Sequence, residues 1–356
     1  MKNLRDEYPL LKQCTYLDTA YHGLMSAGLL DHRRQMDLQI HQHASRFTHT
    51  RNELVHAVRT KLSGFLESDY ANTALIPNFS LGFNRLLEAW DKNIKILLLE
   101  NDYPSINNEV ESAGFQTVYA PISHQVEQDI HEACEKFQPQ VFCLSLVQYI
   151  SGIQIDMEFL QQLKKDFPDL IIVADATQFV GSRKFCFRES GIDVLIASCY
   201  KWLHAGGGNG FICAQESSLS KVIPKSRRIY AASHGDEVST FISRFEPGHQ
   251  DILSFGSLGY ALDQATSIGL NKIESLQQEL SQKAKISLQD RGLLDKSMAE
   301  RTQHSSIFNI PGDQALFDRL RQHDIIVSQR GAGIRISFCY LNTLEDLSKL
   351  LKVLDL

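Results

Sequence analysis

The chain has 356 residues, with 36 Lys and Arg against 42 Asp and Glu, a net charge of -6 and a pI near 6.1. Hydrophobic residues make up 43% and charged residues 22%, so the chain is neither disordered nor basic enough to bind nucleic acid by charge. No apolar run reaches the length of a membrane span, and the first residues lack the apolar core of a secretion signal, so a cytoplasmic protein with no membrane partner is expected.

Along the chain, strand-like apolar runs alternate with amphipathic stretches. Residues 94–99 predict a strand and 104–113 a helix. Residues 141–147 predict a strand and 157–166 a helix, and further strands follow at 170–174, 194–197 and 210–214. This alternation predicts an α/β fold, a mainly parallel sheet covered by helices on both faces. From about residue 255 the pattern changes to helices at 257–267 and 271–284, a strand at 331–338 and a closing helix at 343–354. The expected organisation is an N-terminal arm (1–30) on a smaller C-terminal α+β domain (255–356), with a large domain (31–254) between them. Seven cysteines are scattered singly with no CxxC pair, which argues against a disulfide framework or a metal site and for buried thiols in a reducing compartment.

In parallel sheets ligands bind beyond the carboxyl ends of the strands. Those ends hold Asp102 and Tyr103, Gln148 and Tyr149, Asp175, and Ser198. Lys201 lies between an apolar strand and Trp202, a poor place for a solvated cation. A lysine in a dry setting loses basicity and becomes a nucleophilic amine that forms Schiff bases with carbonyl compounds. Pyridoxal phosphate is the common carbonyl cofactor, its ring nitrogen needs an acid, and Asp175 is a matching one.

The block Asp175-Ala176-Thr177-Gln178, Asp193, then Ser198-Cys199-Tyr200-Lys201-Trp202 and the glycines after it resembles the class V aminotransferases, fold-type I pyridoxal-phosphate enzymes. So do Tyr16-Leu17-Asp18-Thr19-Ala20, Pro77-Asn78-Phe79-Ser80, and Gly333-Ile334-Arg335-Ile336-Ser337 followed by Tyr340, Asn342 and Thr343. The resemblance implies that Lys201 carries pyridoxal 5'-phosphate as a Schiff base and shuttles a proton. It implies that Asp175 pairs with the ring nitrogen, that Gln178 donates to the ring hydroxyl, and that Tyr103 stacks on the ring. Ser198 and Tyr200 would bind the phosphate together with Asn78, Phe79 and Ser80, where Ser80 is expected to cap a helix starting near Leu81. Tyr149 would lie near the cofactor, Arg335 would hold the substrate carboxylate, and Ala20 and His22 would line the substrate pocket. Phe245-Glu246-Pro247-Gly248-His249 resembles a loop that reaches the neighbour's cofactor phosphate, with His249 in place of a threonine, so a homodimer with shared sites is implied.

Cysteine desulfurases in this family need a mobile cysteine near the substrate, and residues 328–335 hold none. Tyr200 and Tyr149 replace residues common in desulfurases, which favours the epimerase-like and aminotransferase-like branch. Transamination, with a keto-acid acceptor, is the first expectation. A lyase or an epimerase, the latter with Tyr21 or His22 as second base, is the alternative. A catalytically silent relative is expected to have lost Lys201 or Asp175, and both are present.

Overall fold

The computed structural model describes residues 2–48, 50–223 and 240–356. After a short N-terminal strand β1 (Thr15–Tyr16) come β2 (Thr73–Ile76), β3 (Lys95–Leu99), β4 (Gln116–Ala120), β5 (Val141–Ser145), β6 (Ile171–Asp175), β7 (Val194–Ser198) and β8 (Gly210–Ala214). The last seven form one sheet in the order β2-β8-β7-β6-β5-β3-β4. The strands β4, β3, β5, β6 and β7 are parallel, and β8 is antiparallel to both β7 and β2. The reversal follows the glycines after Lys201, where Gly206 and Gly208 adopt φ of +71° and +85°, values open to glycine at little cost.

The apolar runs are continuous because both faces of the sheet are covered. Successive side chains point to opposite faces. Phe142, Leu144, Ile172, Ala174, Leu195 and Ala197 join one core, with helices Arg51–Leu66, Val126–Phe137 and Met157–Asp166 against it. Val141, Cys143, Ile171, Val173, Val194 and Ile196 join the other, beneath helices Phe79–Leu87 and Pro104–Ser112. The fold class read from the alternation is the observed one. The edge strands β2 and β4 lack a sequence signal: the first has four residues, and the second is only partly buried.

The C-terminal part holds β9 (Ile307–Pro311), β10 (Ile325–Ile326), β11 (Ser328–Arg330) and β12 (Gly333–Ser337), with the antiparallel order β11-β12-β9. β1 pairs with β10, and Asp18 bridges to Ser337. The arm is tied down by Ser337 N–H donating to the Leu17 carbonyl at 2.8 Å and by Ala20 N–H donating to Ser337 Oγ at 3.0 Å. The expected helices at 257–267 and 271–284 extend over Ile252–Ile268 and Leu270–Gln289. The closing helix Leu344–Leu354 starts at a capping box of Thr343 and Asp346. Among the described residues, no helix is long and apolar enough to cross a membrane, and no cluster of His, Cys, Asp and Glu is placed to hold a metal.

Candidate active site

Parallel pairing sets Asp175 on β6 opposite Ile196 on β7, so the chain leaving β7 at Ser198 passes beside the acid. A cavity opens there, with about 390 Å³ of free space, part of it open to solvent. Its wall is made by Phe79, Ser80, Tyr103, Ser145, Val147, Tyr149, Asp175, Thr177, Gln178, Ser198, Tyr200 and Lys201. Residues from four strand ends and one helix start thus meet where a parallel sheet is expected to bind its ligand.

Asp175 is buried and accepts Thr177 N–H at 2.8 Å. Burial raises its pKa, against the hydrogen bonds from Thr177 and the charge of Lys201. Lys201 is only 7% exposed, and Nζ lies 5.8 Å from the Tyr103 ring centre and 5.7 Å from that of Tyr200. Burial lowers its pKa, Asp175 works the other way, and Arg335 and Arg330 depress it further. The amine is therefore closer to its nucleophilic neutral form than a surface lysine is. Burial also pushes the Tyr200 hydroxyl up to about 12, so it stays a neutral donor.

Gln178 donates to the Ala20 carbonyl at 2.9 Å and accepts from the Trp202 indole at 2.8 Å, which fixes the amide and leaves one amide hydrogen. Ser198 Oγ accepts Phe79 N–H at 2.9 Å, so the end of β7 is bonded to the first turn of helix Phe79–Leu87. That helix starts two residues earlier than expected. Its cap is Asn78, which accepts Leu81 N–H at 3.0 Å, and Ser80 lies inside the first turn and bonds Ser105. Asparagine outranks a serine already inside the turn because its carbonyl reaches the third N–H. Phe79 and Ser80 line the cavity and Asn78 does not. Tyr103 and Tyr149 meet edge to face at 5.3 Å on the opposite wall.

Besides Asn78, four expected residues stand outside the wall. Arg335 is buried, donates to the Tyr149 carbonyl at 3.0 Å and lies 3.5 Å from the Asp18 carboxylate, an ion-pair distance, while its Nε makes no hydrogen bond. Ala20 meets the site through its carbonyl, which accepts from Gln178, and His22 bonds the Gly23 carbonyl and leans on the Tyr200 ring. His249 is exposed in the loop beyond helix Thr240–Phe245. That loop is anchored by Glu246, which pairs with Arg59 and accepts Leu75 N–H.

Three supporting groups carried no sequence signal of their role. Thr177 holds Asp175 and accepts Ser198 N–H at 3.0 Å. Asp102 is buried and accepts Tyr103 N–H at 2.7 Å and Ser145 N–H at 2.8 Å, joining the ends of β3 and β5, and Ser145 itself lines the wall. A turn-forming Asp or Thr at a strand end is the only hint of such bonds. No cysteine lines the cavity. Cys143, Cys199, Cys213 and Cys339 are buried with thiol pKa values raised by burial, the inert kind.

The family model for aminotransferase class-V matches residues 29–350. Among curated proteins, a probable cysteine desulfurase of Ureaplasma parvum is 20% identical over 96% of this chain and 93% of its own. Kynureninase of Saccharomyces cerevisiae is 27% identical over 38% of this chain and 34% of its own. An uncharacterised Schizosaccharomyces pombe protein is 23% identical over 76% of this chain, which spans 66% of that protein's length. Among solved structures, an apo cysteine desulfurase from Thermococcus onnurineus NA1 superposes with a TM-score of 0.85 at 17% identity, covering 99% of this chain and 97% of that one. The cystine C–S lyase C-DES, in complex with its reaction product cysteine persulfide, superposes with a TM-score of 0.87 at 16% identity, over 98% and 99%. A lysine variant of C-DES carries glycine covalently linked to its PLP cofactor. With the family model spanning most of its length, the chain belongs to the aminotransferase class-V family, and its cofactor is pyridoxal phosphate.

Proposed function

We propose that this protein is a pyridoxal-phosphate lyase that acts on an amino acid, with Lys201 as the base at Cα. The observation that carries the reading is the buried pair of Lys201 and Asp175 at the floor of a cavity without a cysteine in its wall. Bound cofactor supplies the carbonyl that captures the substrate amine and a ring that draws electrons from Cα.

The residues present fit that group. Asp175 is an acid whose ionisation is opposed by burial, and a protonated ring nitrogen is a counter-charge that offsets this. The start of helix Phe79–Leu87 offers N–H groups and the positive end of the helix dipole to the phosphate, beside Ser198 and Tyr200. The free amide hydrogen of Gln178 suits the ring oxygen, and Tyr103 with Tyr149 supplies an aromatic wall. In the proposal, Arg335 grips the α-carboxylate with the Nε that has no other partner. Neutral Lys201 then removes the Cα proton and passes it to the group leaving Cβ.

The named relatives support a lyase over the transaminase first expected: they include desulfurases, a C–S lyase and kynureninase. The cavity wall gives no thiol to carry sulfur as a persulfide, so the reading is elimination with release of the leaving group. Neither Tyr21 nor His22 lines the cavity, which counts against an epimerase that uses them. A homodimer in which the exposed loop of His249 meets a neighbour's site is part of the proposal.

The test incubates the holoenzyme with pooled L-amino acids and no keto acid. Ammonia and a keto acid should accumulate over many turnovers while the visible absorbance of the cofactor persists. Loss of that absorbance in one turnover, restored by a keto acid, would return the reading to transamination.

A further inference from the structure

The hairpin of β11 and β12 carries two arginines. Its register pairs Ser328 with Arg335 and Arg330 with Gly333. Directly paired residues share a face, and so do residues two apart on one strand. Ser328, Arg330 and Arg335 therefore lie on one face, with Arg330 and Arg335 diagonal neighbours about 7–8 Å apart. That face is turned toward the site: Ser328 donates to Asp18, Arg335 lies beside the same carboxylate, and Arg335 also donates to the carbonyl of Tyr149, whose ring is in the cavity wall. The turn of the hairpin abuts Ile150, the next residue, since a side chain at Gly331 would meet it at 3.2 Å.

Arg335 is engaged by Asp18, and Arg330 has no such partner. Its guanidinium sits 4.9 Å from the ring centre of Tyr21, it hydrogen-bonds the adjacent Gln329 carbonyl, and among the described residues it forms no ion pair. Tyr21 follows Ala20, the residue that Gln178 holds. Burial dominates at Lys201 and Tyr149, and the positive charge of Arg330 is felt at each. A half-buried guanidinium held against the exposed Tyr21 ring, with no ion pair among the described residues, is a fork available to an oxyanion.

We propose that Arg330 binds a second acidic group at the far end of the amino-acid substrate, while Arg335 holds the α-carboxylate. This inference rests on the reading of the site as an amino-acid enzyme and names its substrate class, amino acids with a distal carboxylate or similar oxyacid. The two arginines stem from diagonal positions on one hairpin face, so two acid groups on one molecule can meet both.

The test titrates the holoenzyme with L-aspartate against L-asparagine and L-glutamate against L-glutamine, and reads Kd from the change in cofactor absorbance. The acidic member of at least one pair should bind about 10-fold tighter or better, the scale of a hydrogen-bonded charge pair. Arg330→Gln should remove that preference and leave the amides bound within about twofold. Equal binding of acid and amide by the native protein, or a preference that survives Arg330→Gln, overturns the inference alone. No absorbance change with any of the four probes overturns the amino-acid reading itself, and the inference with it.

Discussion

At the sheet end of the cavity three polar side chains are held by other groups: Asp175 by Thr177, Ser198 by Phe79, and Gln178 by Ala20 and Trp202. At the hairpin end the donors are left open: Arg335 keeps an unpartnered Nε, and Arg330 rests on a ring and its neighbour's carbonyl. In the proposed reading the sheet end holds a cofactor of fixed shape, and a rigid frame lowers the reorganisation that chemistry would otherwise require. In the same reading the hairpin end meets a substrate that must enter and leave, and its unpartnered donors serve that molecule. Substitutions at the two ends should therefore fail differently, by loss of chemistry at the first and by loss of affinity at the second.

The sharpest division comes from the floor. Lys201→Ala should lower turnover by roughly 10^4-fold, the upper range for a positioned general base, and should abolish the cofactor linkage that borohydride reduction fixes. Mass measurement after reduction reads this directly, and a linkage that persists would remove Lys201 from its assigned role. Asp175→Asn keeps the shape that accepts Thr177 N–H but not the charge. Turnover should fall roughly 10^2–10^3-fold, the scale of losing one preorganised electrostatic partner. Stability should move the other way. Burial raises the pKa of Asp175 above 3.8, so the native acid holds its proton more tightly than the unfolded one. Its contribution to stability is therefore lost as pH rises from 3.8 through the raised native value. The cofactor-free asparagine variant should be no less stable than the native chain at pH 7 by urea unfolding.

The turn behind the lysine tests whether the rigid end depends on its own support. His204 N–H donates to the Lys201 carbonyl at 3.2 Å, and its buried ring meets Tyr8 and Tyr340 at 6.0 and 5.5 Å. Burial lowers the imidazole pKa from 6.5 to about 4. The unfolded chain thus binds a proton that the native one refuses between those values, and stability drops as pH falls through that window. By pH 4 the loss should reach about 3 kcal/mol. His204→Asn tolerates the native φ of +56° and has no proton to take up, so its unfolding free energy should depend less on pH between 6.5 and 4. An unchanged slope would assign the acid sensitivity to other groups.

The same division governs what could be read from the sequence. That Lys201, Asp175, Gln178 and Ser198 meet in one wall was legible because each stands at or just after the end of a buried apolar strand. Thr177 and Asp102 were not legible in their roles. They act through backbone N–H groups, and Asp102 reaches one 43 residues away, which no local pattern announces. The helix cap moved from Ser80 to Asn78 because local propensity allows both and the bond from Phe79 to Ser198 decides the start. The antiparallel course of β8 was hidden because a buried antiparallel strand is as apolar as a parallel one. The hairpin was legible as a strand and an arginine. Which side chains share its site face follows from a register that only the pairing reveals.

The smallest effect belongs to Arg335, and it separates the two arginines. Arg335→Lys keeps a positive charge but removes the fork, together with the bond to the Tyr149 carbonyl at 3.0 Å. The lysine can still meet the Asp18 carboxylate, so the charges near the hairpin remain balanced. An α-carboxylate is common to every amino acid, so binding should weaken about 10-fold for L-aspartate and L-asparagine alike, the loss of one charged hydrogen bond. Turnover at saturation should change far less, because Lys201 and Asp175 are untouched. Arg330→Gln, by contrast, should weaken the acid and spare the amide. If Arg335→Lys instead lowered turnover at saturation and left both affinities intact, Arg335 would belong with the rigid end of the cavity, and the division between the two ends would have to be drawn between Arg330 and Arg335 on a single hairpin face.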